Sequence, residues 1–172
     1  EWCIMSAQTL NCKILEVSKF DRKNYFYPDI PKGYQISQYD KPFGIEGKVV
    51  LKDGKIVRIR RVHMEEDTGK LIHSEGSSLI DFNRSGVPLV EIVTEPVFEN
   101  AAEARDFMKR LITVLSYLGI FDLKEGIIKA DANISIKESG YIRAEVKNIT
   151  GFKEIEKALQ KYPGIKNAVV NF

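Results

Sequence analysis

Residues 48–65 read Lys48-Val49-Val50-Leu51-Lys52-Asp53-Gly54-Lys55-Ile56-Val57-Arg58-Ile59-Arg60-Arg61-Val62-His63-Met64-Glu65. Asp53-Gly54 stands between two strand-forming runs, Lys48–Lys52 and Lys55–Glu65. A two-residue Asp-Gly loop favours a type I′ turn, so this stretch predicts an antiparallel hairpin. Strict alternation along the second arm puts Val57, Ile59, Arg61, His63 and Glu65 on one face. Ile56, Arg58, Arg60, Val62 and Met64 take the other. Arg61, His63 and Glu65 then form a polar row about 7 Å apart from one to the next, at the end of an apolar stripe. A cation, an imidazole and a carboxylate in such a row can bind a metal-phosphate group. They can equally be a strand end emerging into solvent, with a surface ion pair.

Downstream, Ser78–Phe82 and Val87–Thr94 read as strands joined by Asn83-Arg84-Ser85-Gly86, and residues 66–77 read as a loop. Glu91 is the single charge in an apolar run, sharing a face with Val87, Leu89 and Val93. A carboxylate there is costly unless it meets a cation or faces water, and Pro88 permits an edge strand. The period then changes. Ala104, Phe107, Met108, Leu111, Leu115 and Leu118 line one helical face, with Asn100 and Glu103 as a capping pair and Gly119 past the end. Gly126–Lys137 and Tyr141–Asn148 predict a second hairpin around Glu138-Ser139-Gly140. Its Lys129, Asp131, Asn133 and Ser135 face away from Ile128, Ala130, Ala132 and Ile134. A helix at about 152–162, a break at Pro163-Gly164 and a last strand to Phe172 follow.

Upstream, Glu1–Leu10 reads as a helix whose Trp2, Met5 and Leu10 share a face, with Asn11 as a left-handed terminator. The lack of an initiating Met makes the chain read as starting partway through a larger protein. Cys12–Val17 reads as a strand. Residues 21–43 carry three prolines, Gly33 and six aromatics, which predicts a long ordered loop. Its basic residues interleaved with Tyr25, Phe26, Tyr27 and Tyr34 suit nucleobases and phosphates, or a loop pinned by its own aromatics. Hairpins with few helices between them make the class α+β, an antiparallel sheet with a few packing helices.

Composition bounds the rest. The 172 residues are 44% hydrophobic and 29% charged, with net charge +2 from 26 basic and 24 acidic residues. A folded core follows, and a protein that binds nucleic acid by bulk charge is excluded. No apolar run is long enough for a membrane helix. Cys3 and Cys12 form no CxxC pair, so a reducing compartment is expected. There is no Walker loop, GxGxxG or GxSxG.

Four long motifs now converge. Arg22-Lys23-Asn24-Tyr25-Phe26-Tyr27-Pro28-Asp29-Ile30-Pro31-Lys32-Gly33-Tyr34-Gln35-Ile36-Ser37-Gln38 resembles the defining motif of the B subunits of aspartyl/glutamyl-tRNA amidotransferases. His63-Met64-Glu65-Glu66-Asp67 with Gly69-Lys70 resembles the next, and the run from Asp81 through Asn83-Arg84 and Glu91 to Pro96 the third. Glu125-Gly126, Asp131-Ala132-Asn133-Ile134-Ser135 and Glu145-Val146-Lys147-Asn148 resemble the fourth. The resemblance spans about residues 1–160, in the family's order.

It implies a catalytic cradle similar to the glutamine synthetase/guanido kinase fold. It further implies ATP- and Mg²⁺-dependent phosphorylation of the side-chain carboxylate of Glu-tRNA(Gln) or Asp-tRNA(Asn), then amidation with ammonia from an amidase A subunit, beside a small C subunit. Carried over residue by residue, Glu65 and Glu91 are metal ligands and, with His63, catalytic. From their charge rather than from the resemblance, Arg61, Lys70 and Arg84 are the cations expected near ATP phosphates. Tyr25, Lys32, Tyr34, Gln35, Asp131 and Asn133 are substrate contacts or support them. The expected location is cytoplasmic or an organelle matrix. The alternative is a non-catalytic docking or RNA-binding module that keeps the fold. Three departures stand out. The family's opening Gly-Leu-Glu-Ile-His strand, which supplies further metal ligands, is not present. Its C-terminal tRNA-gripping domains are not present either. Ile155–Phe172 does not continue as the family does: residues 161–172 read as a separate C-terminal segment, and Pro163–Phe172 resembles the helix–turn–strand of a ferredoxin-like metal-binding domain without its CxxC.

Overall fold

The computed structural model describes residues 1–121, 128–135, 143–150, 154, 156–157 and 168–171. The chain is α+β, and every described strand pairing is antiparallel. Helix α1 (Trp2–Thr9) is followed by β1 (Lys13–Ile14), β2 (Asp21–Asn24), β3 (Tyr34–Ser37), β4 (Gly44–Val50) and β5 (Ile56–Glu66). Then come β6 (Lys70–Ser74), β7 (Ser77–Asp81), β8 (Pro88–Thr94), α2 (Ala101–Tyr117), β9 (Lys129–Ser135), β10 (Arg143–Thr150) and β11 (Ala168–Asn171). Seven strands form one sheet in the order β1-β4-β5-β8-β11-β9-β10, while β2-β3 and β6-β7 are separate two-stranded ribbons. No helix among the described residues is long and apolar enough to cross a membrane.

The first hairpin forms, with a different turn. Gly54 N–H donates to the Leu51 carbonyl at 3.1 Å and Leu51 N–H to the Lys55 carbonyl at 2.8 Å. Gly54 has φ +87° and Asp53 stays at negative φ. A type I′ turn needs positive φ at both central residues. The connection is therefore the three-residue loop in which a type I turn ends on a left-handed glycine.

A second correction matters more for the site. Along β5, Ile59 pairs with Thr94, Arg61 with Val93 and Val62 with Ile92. Two residues of β5, Arg60 and Arg61, thus oppose one of β8, which is a β-bulge. The bulge resets the alternation. Val57 and Ile59 join Val62 on the core face, all at most 1% exposed, and Arg61, His63 and Glu65 lie on the opposite face.

The core face is closed by two helices. The α2 periodicity buries Ala104, Phe107, Met108, Leu111 and Leu115 against Val57, Ile59, Val62, Ile92, Ala130, Ala132 and Ile134. Phe98 and Phe107 rings meet at 5.4 Å. Asn100 caps α2 by accepting from Glu103 N–H at 3.0 Å, and Glu103 reaches back to Glu99 N–H at 2.9 Å. Gly119 follows at φ +68°. Helix α1 ends on Asn11 at φ 55°, as read from the sequence. Its buried face, however, is Cys3, Ser6 and Ala7 with Leu10; Trp2 and Met5 point outward. α1 sits close because β4 presents glycine beneath it. A Cβ on Gly44 would fall 2.7 Å from Ala7 Cβ, and one on Gly47 would fall 2.7 Å from the Leu10 carbonyl oxygen.

Two segments expected as loops contain strands. β2 pairs with β3 inside 21–43, and β6 pairs with β7 where 66–77 read as a loop. Polar residues at short spacing hid both. β11 lies between β8 and β9, pairing Asn171 with Val93 and with Asp131. The second hairpin's strands β9 and β10 form, while its turn, most of the helix expected at 152–162 and residues 161–167 lie outside the described residues.

Candidate active site

Cross-strand partners in an antiparallel pair project from the same face of the sheet. β5 pairs His63 with Glu91 and Arg61 with Val93, so Arg61, His63, Glu65 and Glu91 stand together opposite the core. The face continues through Val93 and the paired Asn171 position to Asp131 and Asn133 on β9 and Glu145 on β10.

His63 is 1% exposed. Its Nε2 lies 3.3 Å from Glu91 Oε2 and 3.6 Å from Glu65 Oε1. Arg61 Nε–H donates to His63 Nδ1 at 3.4 Å. A neutral imidazole accepting at Nδ1 carries its proton on Nε2, which therefore faces both carboxylates. Burial pushes the imidazole toward its neutral form, but hydrogen bonds to Glu65 and Glu91 and their charges outweigh it and raise its pKa. Burial likewise opposes ionisation of Glu65. The hydrogen bonds from His63 and Ser37, with the Lys23 and His63 charges, win and lower its pKa from 4.5 to about 2.

The β2–β3 ribbon holds the far end of this row. Ser37 Oγ donates to Glu65 Oε1 at 2.7 Å, and Gln35 Nε2 reaches Glu65 Oε2 at 3.5 Å and the Glu66 carbonyl at 2.6 Å. Gln38 Oε1 accepts from Met64 N–H at 3.1 Å. β4 ends at Gly44 opposite Val62, so β3 and its continuation complete the edge of β5 with side-chain amides where a strand is lacking. Lys32 pairs with Glu66, which also accepts from Ile36 N–H at 2.7 Å.

One donor atom from each of His63, Glu65 and Glu91 lies within 4.8 Å of the others. Two carboxylates suit Mg²⁺, which prefers oxygen and usually takes only one or two carboxylates beside water and phosphate. Glu65 and Glu91 would be the residues to hold such an ion, which would supply charge to offset phosphate repulsion. The donor chemistry fits. His63, with Arg61 on Nδ1 and its proton on Nε2, serves the carboxylates better than a metal.

The other expected residues scatter. Tyr34 lies between Arg22 Cζ, 4.6 Å from its ring centroid, and Lys32 Nζ at 4.9 Å. Tyr25 Oη donates to Asp29 at 3.4 Å. Arg84 is held by Asp67 at 3.1 Å, and Lys70 opens β6 opposite Asp81 on the separate ribbon. Neither bonds to the carboxylate pair. A cleft of about 280 Å³ beyond the row is lined by Ile30, Pro31, Lys32, Glu66, Asp67, Ser85 and Gly86. Asn133 is 2% exposed. Ser37 and Lys23 were not expected at the site. Alternation within β2 and β3 would have placed them with Gln35, had those strands been legible.

The sequence matches the GatB/GatE catalytic domain over residues 1–165. The chain belongs to that family. Similar proteins include the aspartyl/glutamyl-tRNA(Asn/Gln) amidotransferase B subunit of Thermosipho melanesiensis, 50% identical over 93% of this chain and 36% of its own length. The proteins of the same name from Thermotoga petrophila (51% identical, 92% of this chain, 36% of its own) and Methanoregula boonei (49%, 92%, 35%) agree. The chain thus spans little more than a third of the length of these relatives. In this GatB/GatE catalytic domain the carboxylate pair sits on the sheet face opposite the helices, on two adjacent strands.

Proposed function

We propose that this domain phosphorylates the side-chain carboxylate of a glutamate or aspartate mischarged on Glu-tRNA(Gln) or Asp-tRNA(Asn), using ATP and Mg²⁺, as the B subunit of an amidotransferase. A carboxylate oxygen attacks the γ-phosphorus and ADP leaves. Ammonia from an amidase A subunit then attacks the acyl carbon and inorganic phosphate leaves. A small C subunit completes the assembly, and the cradle is of the glutamine synthetase/guanido kinase type. The observation that carries this reading is the Glu65–Glu91 pair, held within one cation's reach and aligned by His63.

Glu65 and Glu91 would hold Mg²⁺, whose charge offsets the repulsion between the attacking carboxylate and the phosphates. His63 keeps two like charges together by donating between them. Arg61 fixes the imidazole tautomer and stands next to the space above the pair. Ser37 and Gln35 restrain Glu65, so it does not swing away as charge builds. Lys32, which lines the 280 Å³ cleft, and Arg84 would reach phosphates only by exchanging their present partners Glu66 and Asp67.

The test is phosphate release from γ-labelled ATP by a full-length protein carrying this domain, with its amidase partner. Release that requires mischarged tRNA, and amide formation that requires ammonia as well, is expected. ATP turnover indifferent to the charged tRNA overturns the reading.

A further inference from the structure

The β2–β3 ribbon has two different faces. Cross-strand pairing of Lys23 with Gln35 and Asp21 with Ser37 places the residues that restrain Glu65 on its inner face. Arg22 pairs with Ile36 and Asn24 with Tyr34, which puts Arg22 and Tyr34 on the outer face. Beyond β2 the chain turns through Phe26, which is 92% exposed, and Tyr27, which is 53% exposed.

Leaving a phenylalanine in water forgoes the stabilisation that burying its ring would bring. This ring is nevertheless propped in position. It lies over Gly33, where a Cβ would come within 2.9 Å of Phe26 Cε1, and Gly33 has φ +78°. The glycine gives the ring a flat backbone shelf and leaves its other side open. Next to it, the Tyr34 ring carries Arg22 and Lys32 within 5 Å of its centroid. Lys32 shares its charge with Glu66, whereas Arg22 has no carboxylate partner among the described residues. An open aromatic face beside cations matches the alternating bases and phosphates of a single strand. A mononucleotide pocket, by contrast, encloses most of its ligand, and nothing walls in Phe26.

We infer that the outer face of the β2–β3 ribbon is a stacking platform for the single-stranded 3′ end of an RNA, with Phe26 beneath a nucleobase and Arg22 beside a phosphate. The inference deepens the proposed function and rests on it for the identity of the RNA. β3 joins the two sites, since its inner side chains hold Glu65 while its outer side chain Tyr34 carries the cations.

The test uses a full-length protein carrying this domain and a single-stranded RNA octamer with 2-aminopurine near its 3′ end. Stacking quenches the probe. Phe26→Ala is expected to weaken binding about tenfold, the scale of one lost base–aromatic stack. Phe26→Tyr restores it, while Phe26→Leu, which keeps apolar bulk without a π-face, does not. Arg22→Gln reduces the salt dependence by roughly the 0.7 log units of one single-strand phosphate contact. Melting temperatures of the Tyr and Leu variants serve as the folding control. Octamer binding unchanged in Phe26→Ala overturns the inference. So does full binding by Phe26→Leu, or a rise in KM for ATP with octamer affinity intact, which would make Phe26 a mononucleotide contact. Amidation by the wild type is measured in parallel. Its absence removes the proposed reaction while the octamer result still decides this platform, and amidation indifferent to Phe26 with unchanged octamer binding removes the platform alone.

Discussion

The two halves of β5 are one strand with two jobs. Before the bulge at Arg60–Arg61, Val57 and Ile59 point into the core beneath α1 and α2. After it, Arg61, His63 and Glu65 point to the face opposite the core and meet Glu91. Without the extra residue, the apolar stripe and the polar row would share a face. The paired carboxylates would then be driven into the core or the core residues into water. One inserted residue lets a single continuous strand anchor the fold and present a site, and the bulge also adds local twist.

The sharpest way to break this comparison is Glu91→Gln. Amidation is expected to fall more than about 100-fold, beyond the loss that an outer-shell partner typically causes. The amide keeps the shape, so the melting temperature moves little. Rescue of part of the activity by raised Mg²⁺ would sharpen the assignment. Full activity would end it, and lost activity with a large fall in stability would make Glu91 a structural charge.

Ile59→Ala attacks the other half. Deleting this side chain, 1% exposed, should cost about 2–5 kcal/mol of unfolding free energy in urea titrations. KM and kcat of the protein that remains folded should hold. A change in kcat of more than a few-fold would show that the bulge does not insulate the halves.

Ser37→Ala probes the restraint on Glu65, whose Oε1 accepts from Ser37 Oγ at 2.7 Å. Activity should drop by about tenfold, at the low end of outer-shell losses, with KM for mischarged tRNA unchanged. An equal loss in KM would place Ser37 on the substrate instead.

The two faces of the sheet should also fail at opposite ends of the pH scale. Glu65 has a folded pKa lowered from 4.5 to about 2. Its contribution is therefore present above pH 4.5 and is lost as pH falls toward 2. Cys3, on the buried face of α1 and so on the core side of the sheet, has its thiol pushed up from 9.0 to about 12, first by burial. Both states are protonated at neutral pH, so it contributes nothing there. Between 9 and 12 the unfolded chain loses the proton more readily, and stability falls. Urea midpoints in chelator, from pH 2 to 11, should show Glu65→Gln flattening the acid limb and Cys3→Ala the alkaline limb. Identical limbs in wild type and variants would refute the split.

Much of this arrangement could be read from residues alone. Glu91 was visible as the lone charge in an apolar run, and the Arg61-His63-Glu65 row by its spacing. α2 announced itself through its period and its Asn100–Glu103 cap. The bulge could not be read, because an inserted residue leaves alternation intact on both sides and shows only in the register against β8. β2 and β3 were hidden for a different reason. Asp21–Asn24 is polar and the intervening turn is rich in proline, so local propensity favoured a loop while pairing with Tyr34–Ser37 decided otherwise. Trp2 and Met5 misled because apolar character marked them for burial. α1 instead buries its small residues, which fit against Gly44 and Gly47.

The amides of Gln35 and Gln38 have a consequence for the behaviour of the chain in a crowded solution. Past Gly44, β5 would offer a bare strand edge to any extended peptide, the usual seed of strand-to-strand aggregation. Met64 N–H and the Glu66 carbonyl are instead occupied by side chains. A side-chain amide satisfies the backbone as a strand would but cannot propagate the ladder. The edge beside the carboxylate pair therefore stays closed to other chains without a further strand being laid along it.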